Sequence, residues 1–306
     1  MIDVSLVDFL QDLTNPHLDF LARAVAMSML SAVLCGVVGC FVVLRGMAFI
    51  GDAVSHAVFP GLAIAFALQG SVLLGGAVAG AAVAVLIALF SQRRTVREDS
   101  IIGIFFAASF ALGMLIISRV DGYTASLTSF LFGSLTGVSA ADLGTAAVCS
   151  VLVLGVVVAL CPQLTAACLD KETARAMGLP VLALDLVLYL CVTAAVVISV
   201  STIGNILVLA LLITPAATAR LLCDSLKSMM LCAAACGAGA SFLGIYLAWA
   251  IDLPAGASIV LLLTALFLAV WALAPWLRSR RHATEPRRAA ESRPESRPAS
   301  VKGSLS

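Results

Sequence analysis

The sequence predicts an all-α, polytopic helical membrane protein with eight or nine transmembrane segments, nine being the better count. Three observations carry this reading. Apolar residues make up 62% of the 306 positions and charged residues only 11%, where a soluble domain averages about 45–50% and about 25%. The mean hydropathy is +1.12. The apolar residues also fall in runs of membrane-spanning length, broken by charges or by Pro and Gly. Such a composition excludes a soluble fold, and it excludes disorder for the bulk of the chain, because disorder needs little apolar surface and much charge.

The chain divides by charge into three parts. Residues 1–19 form a short extracytoplasmic N-terminal segment, 20–277 the transmembrane domain, and 278–306 a disordered cytoplasmic tail. The first 20 residues carry Asp3, Asp8, Asp12 and Asp19 and no Lys or Arg, so the basic n-region of a cleavable signal peptide is not expected. The tail holds eight of the eighteen Lys and Arg residues. It mixes Pro, Ser, Glu and Arg with few apolar groups, too few to offset the cost of ordering. Its arginines suit anionic lipid headgroups.

A hydrocarbon core of about 30 Å takes roughly 20 residues of helix. The candidate spans are 20–44, 48–69, 71–91, 100–118, 140–161, 182–200, 203–218, 228–250 and 256–276. The seventh is the shortest, and a re-entrant segment is the alternative to a crossing there. Residues 122–139 are only patchily apolar and suit a half-helix lying against the bundle.

Positive charge decides direction and count. With nine crossings and the C-terminus inside, one side holds Arg45, Arg93, Arg94, Arg97, Lys171, Arg175, Arg220, Lys227 and the tail, sixteen charges in all. The other side holds only Arg23 and Arg119. A re-entrant seventh segment would reverse the later charges and leave six inside against twelve outside. The expected location is therefore a bacterial plasma membrane, multi-pass, with a cytoplasmic C-terminus.

Three loops on the basic side are long or charged enough to meet a partner: 92–99, 162–181 and 219–227. The second holds a short helical pattern from Asp170 to Met177. Asp170 can cap it, Lys171 and Arg175 lie four apart on one face, and Gly178 followed by Pro180 stops it. A plain connector is one reading and a partner contact the other.

Ionisable groups inside a membrane are costly and mark function. In the second span Asp52 and His56 are at i and i+4, so they share a helix face. His56 is the one histidine of the transmembrane domain, since His17 and His282 lie outside it. At about 1.5 Å of rise per residue from Met47, Asp52 lies roughly 8 Å and His56 roughly 14 Å deep. A carboxylate and an imidazole on one face are half of a site for a first-row divalent metal. A neutral histidine hydrogen-bonded to Asp52, merely pinning two helices, fits the spacing as well. Pro60 offers no N–H to the carbonyl of His56, which invites a kink.

Other buried polar groups have structural readings. Asp185 near the start of its span caps a helix or faces water. Glu98 and Asp99 precede a span, where carboxylates stabilise a helix N-terminus. Asn205 and Thr214-Pro215 suit a helix kinked for packing or the lining of a pathway. The nine cysteines sit in or near apolar runs without a CxxC and read as small buried hydrophobes.

Neither ATP hydrolysis nor membrane-embedded catalysis is expected. The lysines are Lys171, Lys227 and Lys302, and none follows a glycine as a P-loop requires. Ser55 and His56 point about 100° apart on a helix, so they cannot form a nucleophile–base pair within it. The chain is either an autonomous secondary carrier or channel for cations, or a permease driven by a separate ATPase.

Six ordered motifs narrow this. They are Gly51-Asp-Ala-Val-Ser-His56-Ala-Val-Phe-Pro-Gly61; Val96-Arg-Glu-Asp99 leading into Ile102-Gly103; Phe132-Gly-Ser-Leu-Thr-Gly137 near Asp142-Leu143; Ala174-Arg-Ala-Met-Gly-Leu-Pro180; Leu211-Leu-Ile-Thr-Pro-Ala-Ala-Thr-Ala-Arg220; and Asp252-Leu-Pro-Ala-Gly256. Together they make residues 20–277 resemble the manganese/zinc/iron-type permeases of bacterial ABC importers; the extended tail departs from that pattern. The resemblance implies an importer-type ABC permease that is not itself an enzyme and binds no permanent cofactor, the divalent metal being its cargo. It implies a second permease subunit, identical or not, two ATP-binding subunits and an extracytoplasmic metal-binding protein as partners, with no nucleic acid. Asp52 and His56 match the metal-contacting positions of the motif. Residues 170–178 match the family's coupling element, with Lys171, Glu172, Ala174, Arg175 and Gly178 at the ATPase contact. Steric fit at Ala174 and Gly178 is expected to matter more than the charge of Lys171. The form of the motif looks more like manganese or iron importers than the zinc branch.

Overall fold

A computed structural model describes residues 5–47, 49–92, 96–119 and 137–291, with the backbone path alone for 275–291. The half-helix expected at 122–139 falls almost wholly outside these residues, as do Arg93, Arg94 and the final stretch of the tail. The described residues form twelve α-helices and one short 3-10 turn, with no strand.

All nine expected spans are helical. They are α2 (Asp19–Arg45), α3 (Ile50–Ala67), α4 (Val72–Phe90), α5 (Glu98–Ile117), α6 (Ala140–Ala159), α9 (Val181–Ile203), α10 (Asn205–Leu222), α11 (Leu226–Ile251) and α12 (Ala255–Glu291). Among the described residues eight are long and apolar enough to cross a membrane, and α3 supplies a shorter apolar stretch, Ile50–Ala65. The seventh span is one continuous helix through Pro215, 18 residues long, so nothing marks it as re-entrant. Three short helices lie outside the spans: α1 (Leu6–Leu13), α7 (Cys161–Leu169) and α8 (Lys171–Ala176).

Helix extends beyond the expected spans on both sides among the described residues. Ser5 and Asp8 form a reciprocal capping box that starts α1. Phe9 is fully buried against the rings of Phe242 and Tyr246 on α11, at 5.7 and 5.3 Å. At the other end, the boundary expected at Leu277 is not a helix end. α12 continues through Arg278 to Glu291, past Pro286.

Two helices organise the rest. In α2, 72% of the most apolar window is buried and in α9 61%, against 22% in α5, α6 and α12. α2 packs on α6, α9, α10 and α11, while α9 packs on α2, α3, α4 and α6. Around this pair α3, α4 and α5 form one group and α10, α11 and α12 another. Lipid tails are as apolar as the side chains, so such contacts depend on close backbone approach and hence on small residues.

Two crossings show that dependence directly. A Cβ on Gly39 of α2 would lie 1.8 Å from the carbonyl oxygen of Leu212 on α10, and one on Gly61 of α3 would lie 2.1 Å from the carbonyl oxygen of Gly75 on α4. Neither obstacle is a side chain that can turn away, so Gly39→Ala and Gly61→Ala must push a helix outwards. We expect each to lower the unfolding midpoint of the detergent-solubilised protein by the equivalent of about 1–3 kcal/mol, as overpacking does. Gly155→Ala, whose Cβ meets nothing within 4 Å, serves as the comparison and should leave the midpoint unchanged.

Candidate functional site

The side chains of Asp52 and His56 meet on α3. His56 Nε2 lies 3.4 Å from Asp52 Oδ1, and the two side chains are only 15% and 30% exposed. Ser55, one position off that face, donates its hydroxyl to the carbonyl of Gly51 at 2.7 Å, the usual retreat of a buried serine into its own helix.

Two neighbouring helices close around this face. On α5, Asp99, Gly103, Phe106 and Phe110 follow at intervals of four, three and four, which places them on one stripe. Phe106 and Phe110 set their edges against the His56 ring at 5.0 and 5.1 Å. On α10 the contact starts at Gly51, whose missing side chain admits Leu212 and Leu209. α3 and α10 run antiparallel from there, and one to two turns on His56 meets Asn205. The amide nitrogen of Asn205 lies 3.4 Å from His56 Nε2. Gly204, with φ of +84°, turns the chain from α9 directly into α10 and puts Asn205 at the first position of that helix.

Beside the Asp52–His56 pair lies a cavity of about 360 Å³, lined by Phe49, Asp52, Asp99, Ser100, Gly103 and Phe106. Asp99 therefore does more than start a helix. Its Oδ1 is buried and has no hydrogen-bond partner. Among the described residues no three His, Cys, Asp or Glu side chains lie close enough together to hold one ion, so Asp99 stands near the pair without joining it.

A second polar cluster occupies the end of the bundle from which α3 and α5 start. Asp185 neither caps a helix nor faces water. Its side chain is 1% exposed, ion-paired with Arg45, itself 3% exposed, and accepts hydrogen bonds from Lys171 at 3.0 Å and Gln92 at 3.1 Å. Lys171 also pairs with Glu98, which stands 3.9 Å from Arg45. Two cations and two carboxylates from four helices thus neutralise one another, the condition under which buried charge is tolerated. Burial pushes the nearby Cys168 thiol up to about 11, which keeps it protonated and unreactive at neutral pH.

The cluster also anchors α8, the helix expected to couple. Asp170 caps α8 as expected, accepting from the Glu172 N–H at 2.9 Å, and Gly178 takes φ of +78° just beyond its end. Lys171 and Arg175 do share a face and both are tied to the bundle: Lys171 is half-buried against Glu98 and Asp185, while the exposed Arg175 donates to Gln92 at 2.6 Å. Ala174 is buried as well. Glu172, Thr173, Arg175 and Ala176 are exposed on α8, with Leu169 exposed just before it and Met177 just after it. A bulky residue at Ala174 would therefore lift α8 off its own bundle rather than obstruct a partner, and Lys171 is not the dispensable surface charge its loop position suggested.

The ABC 3 transport family profile matches residues 17–274. The chain belongs to the ABC 3 transport family. A "Manganese transport system membrane protein MntC" from Halalkalibacterium halodurans is 39% identical over 84% of this chain and 88% of its own length. A "Manganese import system permease protein ScaB" from Streptococcus gordonii is 37% identical over 88% and 95%. A "Probable iron transport system membrane protein" from Haemophilus influenzae is 32% identical over 84% and 91%. Among solved structures, PsaBC from Streptococcus pneumoniae in complex with Fab has a chain with TM-score 0.79 and 34% identity, matched over 92% of this chain and all of that one.

In this ABC 3 family chain the Asp52–His56 pair was legible from spacing alone. Asn205 and Asp99 were visible only as polar residues at helix starts, and no one-dimensional signal joins them to α3. The charge cluster predicts a ranking. Asp185→Asn leaves two cations to one carboxylate and should lower stability by about 3–5 kcal/mol, as breaking a buried pair does. Glu98→Gln, at a side chain 22% exposed, should cost less. Thermal unfolding of the two variants in detergent checks the order.

Proposed function

We propose that this chain is the transmembrane subunit of an ATP-driven importer for a divalent first-row metal ion, with manganese as first candidate and iron or zinc as the others. The observation that carries the reading is a carboxylate and an imidazole in contact on a buried helix face of a chain whose relatives are named as manganese and iron transport proteins. Asp52 and His56 contact the passing metal. A carboxylate oxygen with one imidazole is a hard, mixed donor set that suits manganese or iron and does not exclude zinc. The Asp99 carboxylate, across the cavity, offers the ion its next oxygen on the way to the basic end of the bundle. An ion held too tightly would not leave, and a pair of ligands plus a separate carboxylate keeps each stop shallow.

ATP hydrolysis belongs to separate subunits, since this sequence carries no P-loop lysine. A pair of permease chains, two ATPase subunits and an extracytoplasmic metal-binding protein complete the proposed assembly. The basic end of the bundle faces the cytoplasm, as the charge bias requires. α8 is the proposed coupling element. Its exposed residues, with Glu172, Met177 and the turn at Gly178, meet the ATPase, while the ion pairs of Lys171 and the Arg175–Gln92 hydrogen bond tie it to the spans. Glu98 holds Lys171 and its neighbour Asp99 lines the cavity. A push on α8 thus reaches the metal path through one peptide unit of α5. An autonomous carrier would need none of this, and a charge cluster binding a loop helix to the gating span favours the driven permease.

The test is metal uptake by vesicles holding the assembled transporter, with manganese, zinc and iron compared. Asp52→Asn and His56→Ala should each abolish or severely reduce uptake while assembly and ATPase binding persist. Undiminished uptake by both would overturn the site. Lys171→Ala should leave ATP hydrolysis in place but lose its coupling to transport. Transport at the normal ratio of ions to ATP would show that α8 is only a connector.

A further inference from the structure

The environment of Asn205 carries one step more, and it rests on the proposed metal path. Asn205 is 4% exposed, its amide nitrogen is 3.4 Å from His56 Nε2, and its Oδ1 is buried with no hydrogen-bond partner. Buried polar atoms are nearly always paired, and an orphan needs a reason. His56 Nδ1 is a second orphan in the same place.

With the amide nitrogen towards His56, neither tautomer of the ring satisfies the three side chains together. If His56 Nε2 is bare, it accepts from the Asn205 amide but turns its lone pair towards Asp52 Oδ1, 3.4 Å away. If Nε2 is protonated, it donates to Asp52 and faces the Asn205 NH2 with a second N–H. Turning the amide by 180° brings Oδ1 to Nε2 instead. With the ring proton on Nδ1, a carboxylate oxygen, an imidazole lone pair and an amide oxygen then converge with three electron pairs and no proton between them. A cation at that point satisfies all three.

We infer that the Asn205 side-chain oxygen is a third protein ligand of the transported ion and sets which ion is preferred. Among the described residues no further His, Cys, Asp or Glu is in reach to play that part. Two oxygens and one nitrogen, with water in the remaining positions, suit an ion that accepts octahedral, oxygen-rich coordination such as manganese. Zinc favours four ligands, nitrogen and sulfur among them. The position of Asn205 at the Gly204 turn matters too: the ligand stands at the joint of α9 and α10, where a small rotation of either helix withdraws it.

The test compares manganese and zinc binding to the assembled transporter in nanodiscs, and their competition in uptake, for Asn205→Leu, Asn205→Asp and Asn205→His. Asn205→Leu should weaken manganese binding by at least about tenfold, the lower end of what altering groups around a bound metal costs. It should weaken zinc less. Asn205→Asp keeps an oxygen in place and should hold manganese at least as tightly as the parent. Asn205→His should move the competition ratio towards zinc. A merely structural asparagine would move assembly or yield but not the metal ratio. If the assembled Asn205→Leu and Asn205→His transporters keep the parent affinity and ratio within twofold, the inference is wrong. Loss of manganese affinity in Asn205→Asp would likewise overturn it, because the amide N–H and not the oxygen would then be what the site uses. Asp52→Asn and His56→Ala run beside them separate the two claims. Metal lost there but kept in the Asn205 variants sinks only the third ligand, and metal kept in all of them sinks the site itself.

Discussion

A charged side chain in the interior of a membrane bundle persists only where something compensates it, and the fold is arranged around that constraint. The compensation takes two forms. At one end Arg45, Lys171, Glu98 and Asp185 neutralise one another almost completely. Along α3 the compensation is incomplete: Asp52 has only the 3.4 Å approach of His56, and His56 Nδ1, Asn205 Oδ1 and Asp99 Oδ1 remain unpaired. A structure that pairs its buried ions so thoroughly in one place and leaves three buried polar atoms unpaired in another separates a structural cluster from a proposed site of exchange. The difference is physical. A permanent ion pair lowers the energy of the fold, while an unsatisfied donor set lowers the energy of whatever cation enters it.

The two regions are mechanically joined. Glu98 and Asp99 are consecutive residues at the start of α5, one bound to Lys171 of the short helix α8 and the other facing the cavity beside Asp52. The stripe that begins with Asp99 continues through Gly103 to the two phenylalanines that hold the His56 ring. Interhelical contacts made through glycine, with Gly39 on Leu212 and Gly61 on Gly75, are close and leave no room for a side chain, so α2 is held tightly on α10 and α3 on α4.

How much of this the sequence revealed depended on range. Helices and their ends follow from apolar runs and from local chemistry, and every expected span is present. The Asp52–His56 contact spans four residues and is fixed by helix geometry. What failed was any judgement that needed a distant partner. Asp185 seemed free to face water because Arg45, 140 positions away, cannot be matched to it along the chain. Lys171 seemed exposed because its loop lies between spans, and Ala174 seemed outward-facing for the same reason. Along the chain Asn205 suits packing and pathway lining equally, because its neighbour His56 lies on a different helix.

The central claim is that His56 coordinates the transported ion directly. The chain has three histidines, and only His56 lies within the membrane spans, so isotope labelling addresses it cleanly. Electron–nuclear double resonance on manganese bound to the assembled transporter, prepared with 15N-histidine in this chain, should show coupling to one imidazole nitrogen. The coupling should vanish in His56→Gln. Manganese bound with no histidine nitrogen in its coordination sphere, or a coupling that survives His56→Gln, would contradict the account.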